Sequence, residues 1–243
     1  MIKDSLLSPK SIAIVGVSTQ KGKIGRVIYD NVIQGGYTGK VYPVNPKYSD
    51  IEGKACYPNV LAIPEDVDTV CIAIPSQFVE SSVDDCIKKK VDTVIIISSG
   101  FKETGAEGKE LEERIANKLK QANIRLIGPN TLGIINNSIN LNLSFARKNT
   151  IEGSTSFISQ SGAFCTAILD MAIRDNIGFS KVISIGNKAD ISENELIEYL
   201  QKDKETQSIA IYLEEFEDGK DFVEIAQRSS KPMIIIAPGS SQK

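Results

Sequence analysis

SIAIVGVSTQKGKIG, residues 11–25, is the stretch whose reading decides the fold. It opens as a short run of small and β-branched apolar residues and passes through a loop holding Gly16, Gly22 and Gly25. It then enters KIGRVIYDNVIQGG (23–36), which has helical spacing and closes on the glycine pair expected past a helix C-terminus. An apolar strand with no polar face must be buried on both sides, which implies a parallel sheet covered by helices. The unit recurs. KVYPVN (40–45), DTVCIAI (68–74), DTVIIIS (92–98) and IRLIG (124–128) follow in the first half. STSFIS (154–159), KVISIG (181–186), SIAIYLE (208–214) and KPMIIIAP (231–238) follow in the second. Helical patterns at 76–90, 105–123 and 193–203 separate them. The tetrapeptide VDTV, at 67 and again at 91, is either an echo of one βα unit or a coincidence of β-propensity. The expected class is α/β with parallel sheets.

The rhythm breaks once, in NNSINLNLSFARKNTIEGS (136–154), which is polar and rich in Asn and Ser. A domain boundary is expected there, near residue 145, dividing the chain into 1–145 and 146–243. Two domains suit 243 residues at roughly 100–200 residues per domain.

Composition excludes more than it assigns. The 28 basic and 31 acidic residues give a net charge of −3 with no long block of one sign, so nothing points to nucleic acid or a membrane surface. No apolar run approaches the roughly 18 residues of a membrane span, and the N-terminus lacks a signal peptide's apolar core. The cytoplasm is the expected location. Cys56, Cys71, Cys86 and Cys165 lie far apart without a CxxC pair, so neither disulfides nor a metal site is expected. The most informative count is zero: the chain has no histidine, which removes Ser-His-Asp and Cys-His catalysis from within it.

The loop GVSTQKGKIG departs from a dinucleotide fingerprint, with Ser18 at the second glycine and extra length, yet its physics suits phosphate. Gly16 permits the tight turn, and Gly22 and Gly25 let backbone approach a ligand at a helix N-terminus. Ser18, Thr19 and Lys23 add hydroxyl donors and a cation; the alternative is a plain tight turn. At the end of the second strand, Asn45, Pro46 and Lys47 stand where a nicotinamide dinucleotide site wants an acid. Lys47 suits a phosphorylated ribose better than a free diol, unless it is only a solvated loop charge. Pro75, Ser76, Ser98, Ser99, Gly100 and Asn130 follow the next three strands. They are expected to line the same mouth, since open parallel sheets bind ligands outside the carboxyl ends of their strands.

A second candidate is FISQSGAF, residues 157–164. A serine on a strand-to-helix turn is a nucleophile, part of an anion cradle, or an N-cap. Without histidine, and with Ser159 and Ala163 replacing the glycines of a nucleophile elbow, the cradle is preferred. Its members would be the Ser159 and Ser161 hydroxyls and the Gly162 and Ala163 amides.

The ordered set SIAIVGVSTQKGKIG, GKVYPVNPK, VDTVCIAIPS, VIIISSGFKETG and IRLIGPNTLGIIN resembles the CoA-binding domain of the NDP-forming acyl-CoA synthetase superfamily. That superfamily includes ADP-forming acetyl-CoA synthetase and the succinyl-CoA synthetase alpha subunit. The likeness continues through FISQSGAFCTAILDMA, VISIGNKADISENELIEYL and IYLEEFEDGKDF, so it spans essentially the whole chain; Thr131 stands where many relatives have Cys.

The resemblance implies a Rossmann-like CoA-binding domain followed by a flavodoxin-like ligase domain. It implies an acid–CoA ligase interconverting acyl-CoA, ADP and phosphate with acid, CoA and ATP through a phosphohistidine. CoA phosphates would sit at Ser18, Thr19 and Lys23 and the 3′-phospho-adenosine near Lys47. Asn130 and the Ser99-Gly100 loop would border the thioester end. Ser161 would cradle the travelling phosphoryl group, and Glu214, with Glu215 in reserve, would orient the imidazole. ATP/ADP and Mg would act through an ATP-grasp subunit or domain outside this chain, in a homo- or hetero-oligomer.

The swinging histidine of relatives lies on a loop shortly beyond the strand matching KPMIIIAPGSSQK. The resemblance therefore implies a fragment ending before that loop and inactive alone. The alternative is a non-catalytic CoA-binding regulatory module, as in some protein acetyltransferases.

Overall fold

In the computed structural model, which describes residues 2–146 and 150–238, the opening run is β1 (Ser11–Val15), buried at all five positions. α1 (Ile24–Gly35) returns over the sheet and ends on Gly36 in the left-handed conformation, φ 86°. Gly36 takes that φ without the Cβ penalty another residue would meet. β2 (Lys40–Val44) pairs parallel with β1, and a small hairpin of β3 (Asp50–Ile51) and β4 (Lys54–Ala55) follows. β5 (Thr69–Ile72), α2 (Val79–Lys89), β6 (Thr93–Ile96), α3 (Ala106–Gln121) and β7 (Arg125–Ile127) complete the first domain. Its sheet runs β2-β1-β5-β6-β7, all parallel. The chain leaves β1 toward β2 and returns on the far side to β5. The β1–β5 gap is therefore the switch point, where such sheets bind ligands.

The polar segment expected to interrupt the fold is itself a hairpin. β8 (Gly133–Asn136) and β9 (Leu141–Ser144) are antiparallel to each other and are fully buried. They join the second sheet by pairing β8 with β11 (Gly178–Ser184). The remainder of that sheet is parallel: β10 (Ile151–Ser159), β11, β12 (Ser208–Tyr212) and β13 (Met233–Ile236), in the overall order β13-β12-β10-β11-β8-β9. α4 (Gly162–Arg174), α5 (Glu193–Lys202) and α6 (Gly219–Gln227) connect its strands. The residues that follow Pro238 lie outside the described residues.

The two sheets share one interior. Leu6, Ile12, Ile14 and Ile28 of the first domain belong to the same buried cluster as Ile134, Ile158, Ile183 and Leu196. Polar groups close the junction: Arg125 binds both Asp190 and Glu195, and Asn31 on α1 donates to the Ser144 and Ala146 carbonyls. No described helix is long and apolar enough to cross a membrane.

Candidate functional site: a cleft joining two helix N-termini

Two switch points face one cleft of about 2140 Å³. At the first, a Cβ on Gly16 would run into the Ala73 carbonyl oxygen and lie 2.9 Å from Ile74 Cγ2, so only glycine lets β1 and β5 exit side by side. Gly25 is required for a similar reason, since a Cβ there would overlap the Gly16 carbonyl. These close approaches bring the start of α1 against the loop. The α1 ladder begins at Val27, whose amide donates to the Lys23 carbonyl. The Ile24, Gly25 and Arg26 amides precede it and have no helical carbonyl to bond.

Of the residues expected at this mouth, Gly16, Ser18, Lys23, Gly25, Asn45, Lys47, Pro75, Ser98, Ser99 and Asn130 all line the cleft. Thr19, Gly22, Ser76 and Gly100 do not. Thr19 is exposed beside the mouth, and the Gly100 amide is spent on Glu103 Oε1 at 2.6 Å. Asn45 shapes the wall: its side chain donates to the Val17 carbonyl at 2.7 Å and accepts from the Lys47 amide at 2.9 Å. Lys47 is exposed, while Ser18 Oγ accepts from the Gln20 amide and lies 3.4 Å from Tyr48 Oη. Phe78, also exposed, adds an apolar surface to the same wall.

At the second switch point, between β10 and β12, Ser161 caps α4 and its hydroxyl accepts from the Phe164 amide at a long 3.4 Å. The Gly162 and Ala163 amides open the helix and have no partner within it. Ser161, Gly162 and Ala163 line the cleft. Ser159 does not: it is fully buried, and its hydroxyl donates to the Ser161 carbonyl at 2.8 Å, so it braces the turn from inside. Opposite stand Glu214 and Glu215, both exposed. Glu215 takes an ion pair from Lys102 of the first domain at 3.5 Å, whereas the Glu214 carboxylate has no hydrogen-bonding or ionic partner among the described residues.

Sequence reasoning missed the residues that hold these loops. Arg26 is buried beneath the first loop, ion-paired to Asp30 and Glu52, with its guanidinium 3.5 Å from the Ser18 and Thr19 carbonyls. Gln160 lay within the quoted motif but passed as filler. Its Oε1 accepts from the Glu214 and Glu215 amides at 2.9 and 3.1 Å, tying the two sides of the second site together. Asn187 bridges the domains: its amide nitrogen donates to Glu103 and Glu112 at 2.8 and 2.7 Å, and its oxygen faces Asn130 at 3.3 Å. Burial pushes the Glu112 carboxyl above the usual carboxylate range. Burial opposes the charge on Glu103 too, but donors from Asn187, Gly100 and Phe101 outweigh it and hold that carboxyl low.

A cleft with unpaired helix-start amides, hydroxyls and lysines along both ends can hold two anionic groups at once. Nothing in it resembles a hydrolytic triad, and no cluster of three or more metal-ligating side chains occurs among the described residues.

The chain is similar to known proteins over nearly its whole length. Residues 10–137 match the family model described as a CoA binding domain, and residues 152–243 match a succinyl-CoA ligase like flavodoxin domain. The chain is 43% identical over 241 residues to acetate–CoA ligase [ADP-forming] I of Archaeoglobus fulgidus, covering 98% of this chain and 35% of that protein. It is 41% identical over 249 residues to the alpha subunit of acetate–CoA ligase [ADP-forming] I of Pyrococcus furiosus, covering 100% of this chain and 54% of the subunit. Among solved structures, it superposes with a TM-score of 0.93 and 40% identity on a dinucleotide-forming acetyl-coenzyme A synthetase 1. That protein comes from Ca. Korarchaeum cryptofilum and was solved with phosphate and ADP; the match covers 97% of this chain and 51% of that one. The chain thus spans about a third to half the length of these relatives.

Proposed function

The chain belongs to the CoA-binding domain family, on the two-domain frame of the NDP-forming acyl-CoA synthetases, and from that premise we propose that it is the CoA-binding part of an acid–CoA ligase. The reaction would interconvert acyl-CoA, ADP and phosphate with the free acid, CoA and ATP. One observation carries this reading: a single cleft joins the α1 N-terminus, with Lys23 and Lys47, to the α4 N-terminus, with Ser161 and the free Glu214 carboxylate. CoA needs the first end for its phosphates, and phosphoryl transfer needs the second.

Each part has a task. The Ile24 and Gly25 amides, Ser18 and Lys23 bind the CoA diphosphate, and Lys47 takes the 3′-phosphate. The thiol arm runs past Pro75 and Ser99 toward Asn130, which Asn187 holds in place. The Gly162 and Ala163 amides and the Ser161 hydroxyl would stabilise a phosphoryl group by donors fixed in advance of the reaction. Glu214 would accept an N–H from an imidazole and hold it in one orientation. Since these 243 residues contain no histidine, that imidazole comes from outside them, and the piece alone binds CoA without turning over. An ATP-grasp subunit or domain would supply the nucleotide and Mg. All four cysteines are free and buried, which suits a reducing cytoplasm.

Calorimetry with CoA and dephospho-CoA tests the reading. CoA should bind more tightly, and Lys47→Ala should erase the difference by weakening CoA about five- to tenfold, the size of one partly screened charge-assisted contact. Absence of CoA binding would overturn the whole reading; equal binding of the two ligands would remove Lys47 from it.

A further inference from the structure

Beneath the loop that carries Glu214 and Glu215 lies an ion pair almost free of solvent. The Lys188 ammonium and a Glu193 carboxylate oxygen are 3.1 Å apart, with side chains 1% and 0% exposed. Two charges buried this deeply need further hydrogen-bond partners to offset their desolvation. Here the partners come from that one loop. Lys188 Nζ donates to the Glu215 carbonyl at 2.8 Å, and Glu193 Oε1 accepts from the Glu217 amide at 2.8 Å. Gln160 grips the same loop from the Ser161 side through the Glu214 and Glu215 amides.

The placement of Lys188 is itself specified. It adopts φ 57°, a left-handed conformation uncommon for lysine, two residues after Gly186. A Cβ on Gly186 would collide with the Pro129 carbonyl and lie 2.6 Å from the Asn130 carbonyl. Glu193 is the first residue of α5, which fixes its backbone on a regular element. The pair is therefore fixed next to Gly186 and Asn187, which line the cleft, and its side chains meet the loop at the loop's backbone atoms.

We propose that Lys188 and Glu193 are positioning residues for the second site, clamping the 214–217 loop so that the Glu214 carboxylate faces the Ser161 turn. The proposal rests on the acid–CoA ligase reading. Neither side chain touches substrate; both act through Glu214.

A second buried pair supplies the control. Lys181 and Asp203, 2.6 Å apart with side chains 3% and 15% exposed, line no part of the cleft. The experiment uses the full-length ligase that carries this chain, and neutralises each pair without stranding a charge. The double variant Lys188→Met/Glu193→Gln should lower kcat on the order of 10- to 100-fold, the scale expected when a reacting group drifts by about 1 Å. Its KM for CoA should stay within about twofold, because the first mouth is untouched, and amide exchange across 214–217 should accelerate. The pair Lys181→Met/Asp203→Asn should lower the denaturation midpoint and leave kcat and KM unchanged. If the Lys188/Glu193 double variant does not fold, Lys188→Arg, which keeps both charges but changes the donor geometry at the Glu215 carbonyl, should lower kcat severalfold at constant KM.

Wild-type kcat in a folded variant overturns the proposal. So does an equal fall in kcat from both pairs, which would mark general stability as the cause. A wild-type ligase without CoA affinity removes the underlying reading, and the proposal with it, and calorimetry on the unmutated protein separates that outcome from the others.

Discussion

At the scale of single residues, two glycines of the cleft play opposite parts. Gly16 has φ 100° and its missing Cβ would overlap the Ala73 carbonyl, so Gly16→Ala should cost about 2 kcal/mol or more, read by denaturant unfolding, and abolish CoA binding. Gly162 is free of both constraints. It is helical, and an added Cβ would meet Leu132 at 3.9 Å, an ordinary contact. Gly162→Ala should therefore fold with unchanged or slightly raised stability, since alanine favours helix by up to about 1 kcal/mol. In the full-length ligase it should still reduce turnover by crowding the α4 amides; unchanged turnover would argue against an anion held there. The cleft positions of Gly16, Gly25 and Ser161 were legible in the sequence because each sits beside a strand–helix turn whose chemistry is local, and that of Lys47 because it follows the carboxyl end of β2. Arg26, Gln160, Asn187 and Lys188 were not, because their meaning lies in partners such as Glu52, Glu214, Glu112 and Glu215, distant in sequence.

Among secondary-structure elements, the nine apolar strands and the four quoted helices emerged because Val and Ile runs and helical spacing leave a periodic trace. The β8–β9 hairpin did not. Its buried positions include Asn136, Asn142 and Ser144, whose polarity mimics a linker although Asn136 bonds the Leu7 carbonyl and Ser144 bonds Asn142. α6 was also missed; it starts at the Asp218 cap, inside the charged run EEFEDGKD (214–221), which has no clear helical periodicity.

The joint of α5 with β11 gives a pH prediction. Burial would raise the Asp203 carboxyl, but hydrogen bonds from Lys181 and Thr206 outweigh it and hold the group below the usual Asp range. A depressed carboxyl stabilises the fold fully above its unfolded value, about 3.9, and that contribution disappears as pH falls through the lower folded value. Urea midpoints should show wild type more stable than Asp203→Asn above pH 5, with the gap closing progressively below about pH 4. A gap independent of pH would mean that the charge on Asp203 contributes nothing.

Across the whole molecule, the two sheets are finished unequally. The first domain buries its central strands on both faces, and the second buries β11 and the last four residues of β10 between helices and the shared core. At the far edge, β13 pairs only with β12 among the described residues, and Ile234, Ile235 and Ile236 are 69%, 40% and 50% exposed. A run of isoleucines whose second ladder edge is unpaired among the described residues is a template for another strand, and natural sheets normally blunt such edges with charge or proline. The 243-residue chain should therefore self-associate reversibly as its concentration rises. Ile235→Lys should hold it monomeric, since a lysine on an edge strand disfavours edge-to-edge pairing. Sedimentation velocity across a hundredfold concentration range reads both outcomes. CoA affinity should not change in the variant, because the cleft opens at the carboxyl ends of β1, β5, β10 and β12, and β13 contributes no residue to it. A wild-type chain that stays monomeric throughout would show that this apolar edge is tolerated unpaired in water.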